Sequence, residues 1–486
     1  VNMTDQQINS SANTSPAQTE NIKRVFDKQK SNALILRTST ADNRIAKIKK
    51  LRDAVLARRE AIYKACYDDF RKPETEVDLT EIFPVKLEAN HAIQHLRKWM
   101  KPVNVMPTKA TFGTRSHIRY EPMGVNLIIS PWNYPVNLTL CPLVSAIAAG
   151  NTVMIKPSEM TPHTSAFLRE LIEDLFDENE IALFEGDATV SQQLLDLPFN
   201  HIFFTGSPAV GKIVMAAAAK HLSKVTLELG GKSPTIIDQS ANIKQAAKTM
   251  AFTKYTNNGQ TCIAPDYVYV HHAVQHDFVA AVKQEINRAY GQTPDVQQAS
   301  PDYARIINNN HFNRIKGLAD DAIAHGAQLD AGGITQDDGE NFISPTVLSN
   351  IDKTSKIMQE EIFGPLLPIL VFDDINEVID HINSNEKPLA LYIFTKDQEL
   401  AQKVLNETSS GDACINTGLI HYLHANLPFG GVNHSGIGKS HGIYGFRAFS
   451  HERSVVRNLF APTLLLAPPY NKFVKWLAKS VVKYMS

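Results

Sequence analysis

The sequence predicts an α/β protein of two or more domains, with parallel sheets covered by helices on both faces. Two observations carry that reading. Short apolar strands alternate with helical runs over most of the chain, which is how parallel sheets are built. The chain also has 486 residues, more than one hydrophobic core organises. Its composition is that of an ordinary globular protein, 43% hydrophobic and 20% charged. Lys and Arg number 49 and Asp and Glu 50, so no positive field points to nucleic acid as a partner. Cys66, Cys141, Cys262 and Cys414 lie far apart with no Cys-x-x-Cys pair. That pattern argues against a zinc site or a disulfide framework and for reduced thiols in the cytoplasm. No signal segment is read at the start of the chain, and no apolar run reaches the roughly 18–20 residues of a membrane span.

The elements follow in order. Residues 1–19 are polar and read as a disordered tail. From about Glu20 to Met100 the pattern is helical, with Ile45, Ile48, Leu51, Val55 and Ile62 recurring at three- and four-residue steps around one seven-residue gap. After Pro102 come two extended, proline-containing pieces, VNVMPTKA and SHIRYEPMG. GVNLIIS is then a buried strand, followed by the turn PWNYP and a helical run to Ala149. NTVMIKPSE is a second strand, after which Thr161 is expected to N-cap a helix with Pro162 in its first position. HIFFTGS is a third strand, with helical AVGKIVMAAAAKHL behind it. A second α/β region runs from about Leu229 to Phe429, with PTIID, DYVYVHH, PILVFDD and LALYIFT as strands. PFGGVNHSGIGKSHG reads as an ordered glycine-rich loop.

Several stretches have the residue types that chemistry needs. Cys262 sits in YTNNGQTCIAP, among small loop-forming residues that offer backbone N–H groups to a thiolate. A small buried hydrophobe is the competing reading. Glu228 lies in VTLELGGKSP, on a strand that ends at two glycines, where a carboxylate facing a crevice serves as a general base. It could equally belong to the polar face of that strand. Asn133 is held between two prolines in SPWNYPVN, as an oxyanion donor or a helix cap. FFTGSPAVGKI begins like a P-loop, but Ile213 stands where the magnesium-binding hydroxyl belongs, so ATP is not indicated. It still places a glycine turn and a helix N-terminus after a strand, which suits a phosphate. Lys156 and Glu159 of IKPSE follow another strand and could hold ribose hydroxyls, or be solvated loop charges.

Taken together, PWNYP, KPSE, FTGS, LELGGKSP, NNGQTC, EEIFGP and LPFGG resemble the aldehyde dehydrogenase superfamily. GQTCIAPDYV, AAAAKHLSKVTLELGGKSP and PFGGVNHSGIGKSHG look like its class 3 branch, which includes fatty, aromatic and coniferyl aldehyde dehydrogenases. The resemblance runs over roughly residues 25–457. It implies an atypical Rossmann NAD(P)-binding domain (20–101 and 123–227), a catalytic domain (228–428) and a β bridging arm (102–122 and 429–457) that makes a homodimer. It implies Cys262 as nucleophile, with Asn133 and the Cys262 N–H holding the oxyanion. Hydride passes to the nicotinamide, and Glu228 activates the water that hydrolyses the thioester. By the same resemblance Trp132, Lys156, Glu159, Gly206, Ser207, Val210, Glu361 and Phe363 hold the cofactor. Glu159 favours NAD, with NADP also accepted by many class 3 enzymes. Tyr134, Tyr255, Thr261, Ile263 and Phe429 are the expected substrate-pocket walls, with Thr417 and His421 near them. A CoA-acylating dehydrogenase and a thiol esterase are the rivals, and Glu228 argues for hydrolysis over acyl transfer to CoA. Residues 458–486 form a tail ending in an amphipathic helix. Phe473, Leu477, Val481 and Tyr484 share one face of it, and Lys472, Lys475, Lys479 and Lys483 the other. That helix either covers a substrate entrance or lies on an anionic membrane as a peripheral contact.

Overall fold

The computed structural model describes residues 16–333 and 339–484. Most of the expected tail lies outside them. Residues 16–19 do not belong to it, because they open the first helix, Pro16–Leu36. Ile22, Val25, Phe26 and Ala33 of that helix are buried at helical spacing, and its Gln29 donates to the Val153 carbonyl at 2.9 Å, tying it to the sheet beneath. The seven-residue gap between Val55 and Ile62 marks a real break. Helix Ala41–Ala57 ends at Arg58, and helix Arg59–Phe70 begins after it.

Among the described residues two mostly parallel sheets and one antiparallel sheet organise the chain. The first runs Lys224–Leu229, His201–Gly206, Val125–Ile129, Thr152–Lys156, Ile181–Leu183, all parallel. Its central strands are buried throughout, as sheets covered on both faces must be. From Val125–Ile129 the chain steps outward in one direction to Ile181–Leu183. It then returns to the other side of Val125–Ile129 with His201–Gly206. The reversal opens a crevice at the carboxyl ends of those strands, where open α/β sheets bind ligands.

The glycine-rich loop contributes one element the sequence did not suggest, a two-residue strand, Gly436–Ile437, pairing antiparallel with Leu227 and Glu228. Gly436 has φ 153° and lies so close that a Cβ would stand 2.5 Å from the Leu227 carbonyl oxygen, so only glycine fits. Glu228, expected to open the second domain, is therefore still inside the first sheet. The second sheet, from Pro234 onward, has seven strands and is parallel except for its edge strand Gln328–Ala331. The third sheet joins Val103–Val105, Thr114–Pro122 and Ser450–Asn458, and projects with both faces largely exposed.

The expected cap at Thr161 is corrected. Helix Pro162–Leu175 starts there, but the Thr161 side chain makes no capping bond. Asp69 reaches over from helix Arg59–Phe70 and accepts from the His163 and Thr164 amides at 3.0 and 2.9 Å. A carboxylate satisfies two orphan amides at once and complements the helix dipole, so it displaces the weaker hydroxyl.

Candidate active site

Cys262 follows helix Ile243–Tyr255 and a tight turn, Thr256–Gly259. Asn257 and Asn258 are both left-handed, with φ 54° and 56°, a conformation Asn tolerates better than other side chains. The turn is fixed from several sides. Gln260 Nε2 donates to the Asn257 and Arg305 carbonyls at 3.0 and 2.9 Å, and its Oε1 accepts from the Ile307 amide at 3.0 Å. Asn133 Nδ2 donates to the Gln260 carbonyl at 3.0 Å, while Asn257 Nδ2 donates to the Asn133 carbonyl at 2.9 Å. The proline-flanked turn of the first sheet and the cysteine loop of the second region are thus laced together two residues before the thiol. Of the four cysteines only Cys262 is half-buried and not buried. Burial pushes its thiol up to about 12, the charges of Glu361 and Glu228 add to this, and the backbone N–H groups of Cys262 and Ile263 oppose it.

Glu228 and Cys262 line one narrow cavity, together with Leu138, Phe203, Phe429 and Ser440. Glu228 Oε1 accepts from the Ser440 hydroxyl at 2.8 Å, whereas its Oε2 is buried with no protein partner. Burial raises this carboxyl to about 8, so it holds or releases a proton near neutral pH. A thiol and a buried carboxylate on one apolar space, with an amide donor fixed to the loop two residues before the thiol, can form and hydrolyse an acyl-thiol bond.

Residues outside the recognised motifs support this centre. Lys72 and Glu81 are fully buried and paired at 2.7 Å. Glu81 Oε2 accepts from the Val136 and Asn137 amides at 3.1 and 2.8 Å, behind Asn133. Glu76 accepts from the Asn257 amide at 2.9 Å. The Lys72 ammonium lies 4.1 Å from the Tyr134 ring centroid. One short segment, Glu74–Ile82, whose second half is a π-helical turn, thereby steadies both the amide turn and the thiol loop. The double Asn before Gly259 was a readable signal for the turn. Glu76 and Glu81 had none, because charges five residues apart look solvated.

The expected pocket walls divide. Phe429 lines the cavity. Tyr134 and Thr261 bond each other through their hydroxyls at 2.5 Å. Tyr255 is a correction: it is fully buried, and its hydroxyl donates to the Thr346 carbonyl at 3.1 Å. It is the last residue of a helix packed on the second sheet, so its ring follows that apolar face. The Ile263 side chain likewise sits in the core, with its carbonyl taking the Tyr392 hydroxyl at 2.6 Å.

The residues expected to hold a dinucleotide stand around the crevice of the first sheet. Ser207 caps helix Pro208–His221, accepting from the Val210 amide at 3.4 Å, directly after Gly206. Such a helix start, with free amides and a positive dipole end, fits a pyrophosphate. Lys156 is buried and pairs at 2.7 Å with the half-exposed Glu159, a donor and an acceptor for ribose hydroxyls. Glu361 approaches Gly230 so closely that a Cβ there would stand 2.4 Å from its carboxylate. Burial, with Asp266 adding, raises Glu361 to about 7. Phe363, at φ 46°, meets the Trp132 ring edge-on at 5.3 Å. This set fits a nicotinamide dinucleotide.

Comparison with known proteins identifies the family. Residues 4–455 match the profile of the aldehyde dehydrogenase family. The chain is 48% identical over 439 residues to the AldX protein of Bacillus subtilis (strain 168), covering 90% of this chain and 97% of that one. It is 44% identical over 434 residues to the 4,4'-diaponeurosporen-aldehyde dehydrogenase of Staphylococcus aureus (strain NCTC 8325 / PS 47), covering 88% and 92%. Aldehyde dehydrogenase family 3 member B1 of Rattus norvegicus is 43% identical over 439 residues, covering 89% and 92%. The substrate-bound structure of Staphylococcus aureus AldH superimposes with a TM-score of 0.89 at 41% identity, covering 94% of this chain and 99% of that one. The chain therefore belongs to the aldehyde dehydrogenase family, on its class 3-like branch, and is an NAD(P)-dependent oxidoreductase acting on aldehydes.

Proposed function

We propose that the enzyme oxidises hydrophobic aldehydes, long-chain aliphatic or aromatic, to carboxylic acids through a Cys262 thioester. The observation that carries this reading is the single narrow cavity shared by Cys262 and Glu228, whose other walls are mostly apolar: Leu138, Phe203, Leu389, Phe429 and Phe449. At about 30 Å³ the cavity itself admits no more than a water or two, but its apolar walls beside the thiol favour an aldehyde whose substituent is hydrocarbon or aromatic and keep bulk water from the reacting carbon.

The thiol must lose its proton to attack. The two carboxylates whose charges reach it, Glu361 and Glu228, are both raised toward neutral pH and can accept that proton. The sulfur adds to the aldehyde carbon, and the Asn133 amide with the Cys262 N–H stabilises the oxyanion. The amide has two hydrogens, of which the Gln260 carbonyl takes one. NAD(P), when bound, would supply the hydride acceptor that turns this adduct into a thioester. Trp132, Phe363 and Glu361 would hold its nicotinamide end, Lys156 and Glu159 its adenosine ribose, and Gly206, Ser207 and Val210 its pyrophosphate. Glu159 favours NAD, since a carboxylate accepts from a ribose 2′-hydroxyl and repels a 2′-phosphate. Glu228 then takes a proton from water, which attacks the thioester and frees the acid.

The protein works as a homodimer joined through its exposed three-stranded sheet, and its C-terminal helix meets an anionic membrane surface. The first experiment follows reduced cofactor by its absorbance, with NAD or NADP and aldehydes from benzaldehyde to hexadecanal, comparing wild type with Cys262→Ala. Turnover in wild type and none in the variant is the expected result. Turnover that persists without the thiol, or that requires added CoA, would overturn the reading.

A further inference from the structure

The cavity beside Cys262 does not end at Glu228. Its walls continue along helices Asn137–Ala149 and Gly442–Ala448 to two more ionisable side chains, Glu88 and His441. Its free volume, about 30 Å³, holds one or two water molecules. Glu88, on helix Phe83–Trp99, is 3% exposed. Its two oxygens accept from the Gly442 amide at 2.9 and 3.2 Å, and Oε1 is 3.4 Å from the Ser145 hydroxyl. His441 Nδ1 stands 3.7 Å from Glu88 Oε2. The imidazole is walled by the rings of Tyr422 and Phe429, at 4.6 and 5.3 Å. Its backbone is strained, with φ 70° and ψ 139° at a non-glycine residue. Ser440 and His441 are chain neighbours, and one contacts Glu228 while the other contacts Glu88. The Oε2 of Glu228, buried and without a protein partner, is the atom left to water.

We propose that His441, paired with Glu88, is the relay residue that takes from Glu228, through cavity water, the proton released in deacylation. The inference rests on Glu228 as the base of the proposed function. The balance is as follows. The water oxygen bonds to the thioester carbon, the carbon–sulfur bond breaks, and the thiolate leaves with the electron pair. The water proton goes to Glu228. It then passes to the imidazole, where the Glu88 carboxylate stabilises the imidazolium, and leaves to solvent past a side chain that is 10% exposed. Glu228 returns to its basic form for the next cycle. A carboxyl held in an apolar wall needs such an outlet, because it does not readily give its proton to the medium directly.

The test uses His441→Gly, which tolerates the local backbone (φ 70°, ψ 139°) and so keeps the loop, and His441→Asn, which keeps a polar side chain but has no group that titrates. Glu228→Gln runs beside them. In a rapid-mixing experiment the first-turnover burst of reduced cofactor is expected to equal wild type in both His441 variants. Steady-state kcat is expected to fall about 10²-fold, the usual share of one proton-transfer group, with KM unchanged. Free imidazole is expected to restore turnover in His441→Gly and not in Glu228→Gln. An unchanged kcat in the His441 variants, with Glu228→Gln impaired, would overturn the relay alone. Loss of burst and turnover together without imidazole rescue would also overturn it, by making His441 a scaffold residue. Full turnover in Glu228→Gln would overturn the base assignment underneath it.

Discussion

At the scale of single residues the site is governed by burial. Four groups share it with shifted protonation: Cys262 up to about 12, Glu228 to about 8, Glu361 to about 7, and Tyr134 well above its usual range. In each the first cause is loss of solvent around the charged form. For Glu228 the sign of the consequence is definite. Only the ionised carboxylate can take a proton from water, and burial raises its pKa. Deacylation is therefore starved of base below about pH 8, losing about tenfold per pH unit further down. The expected outcome is a steady-state rate that climbs through neutral pH and levels above about 8, while the burst stays less steep. Glu228→Gln should flatten and lower the steady-state profile, and stopped-flow measurement of burst and steady state across pH checks both. A profile that falls over the same range would give Glu228 the role of an acid.

At the scale of elements the notable piece is the segment Glu74–Ile82. It sets Glu76, on its first α-helical turn, and Glu81, on the π-helical turn, against two loops that are far from each other in sequence. Lys72 supplies the counter-charge, and none of the Lys72–Glu81 pair is exposed. Breaking one side of a buried pair leaves an uncompensated charge and costs about 3–5 kcal/mol. Glu81→Gln should cost about that much and loosen the Val136 and Asn137 amides. Combining Lys72→Met with Glu81→Leu should recover part of the loss, since the stranded charge is gone while the amides stay unpaired. Urea denaturation of the single and double variants measures the difference. This segment also shows where reading the sequence stops. Runs such as GVNLIIS and LALYIFT announce buried strands by composition alone. Ile181–Leu183, Thr346–Ser349 and Gly436–Ile437 are too short to carry a period, and exist because a neighbouring strand receives them. Cys262, Asn133 and Glu228 stood out because small, turn-forming residues surround them. Lys72, Glu76 and Glu81 look like a solvated helix face until the fold brings the amides of residues 136, 137 and 257 against it. The Thr161 cap failed for a similar reason, since Asp69 arrives from another helix. Tyr255 carries no local mark that its ring turns into the core.

At the scale of the molecule two surfaces stand out as exposed and apolar among the described residues. The three-stranded sheet exposes Val103, Val105, Met106 and Val456, and a ribbon solvated on both faces is not stable by itself. The homodimer proposed above rests on this face, which a second copy extending the sheet would cover. The second surface is helix Lys472–Tyr484. Only Val474 of that helix is buried, while Phe473, Trp476 and Tyr484 are 57%, 62% and 66% exposed. Within one chain the helix therefore does not pack its apolar face on the catalytic body. No helix among the described residues is long and apolar enough to cross a membrane, so contact with lipid has to be peripheral. Four lysines, Lys472, Lys475, Lys479 and Lys483, share the other side with no acidic residue between them. Each basic residue near an anionic bilayer contributes about 1 kcal/mol, and the aromatic face adds burial in the headgroup layer. The full-length enzyme is expected to float with vesicles containing phosphatidylglycerol, to release in high salt, and to ignore purely zwitterionic vesicles. Deleting residues 470–486 should abolish flotation and lower the rate with vesicle-borne hexadecanal, while leaving benzaldehyde turnover intact. If the deletion changed neither flotation nor the preference between those two aldehydes, the helix would have no part in reaching a lipid-borne substrate. If flotation persisted but the aldehyde preference shifted, the helix would be covering the substrate entrance, and the membrane contact would have to be sought on the exposed sheet.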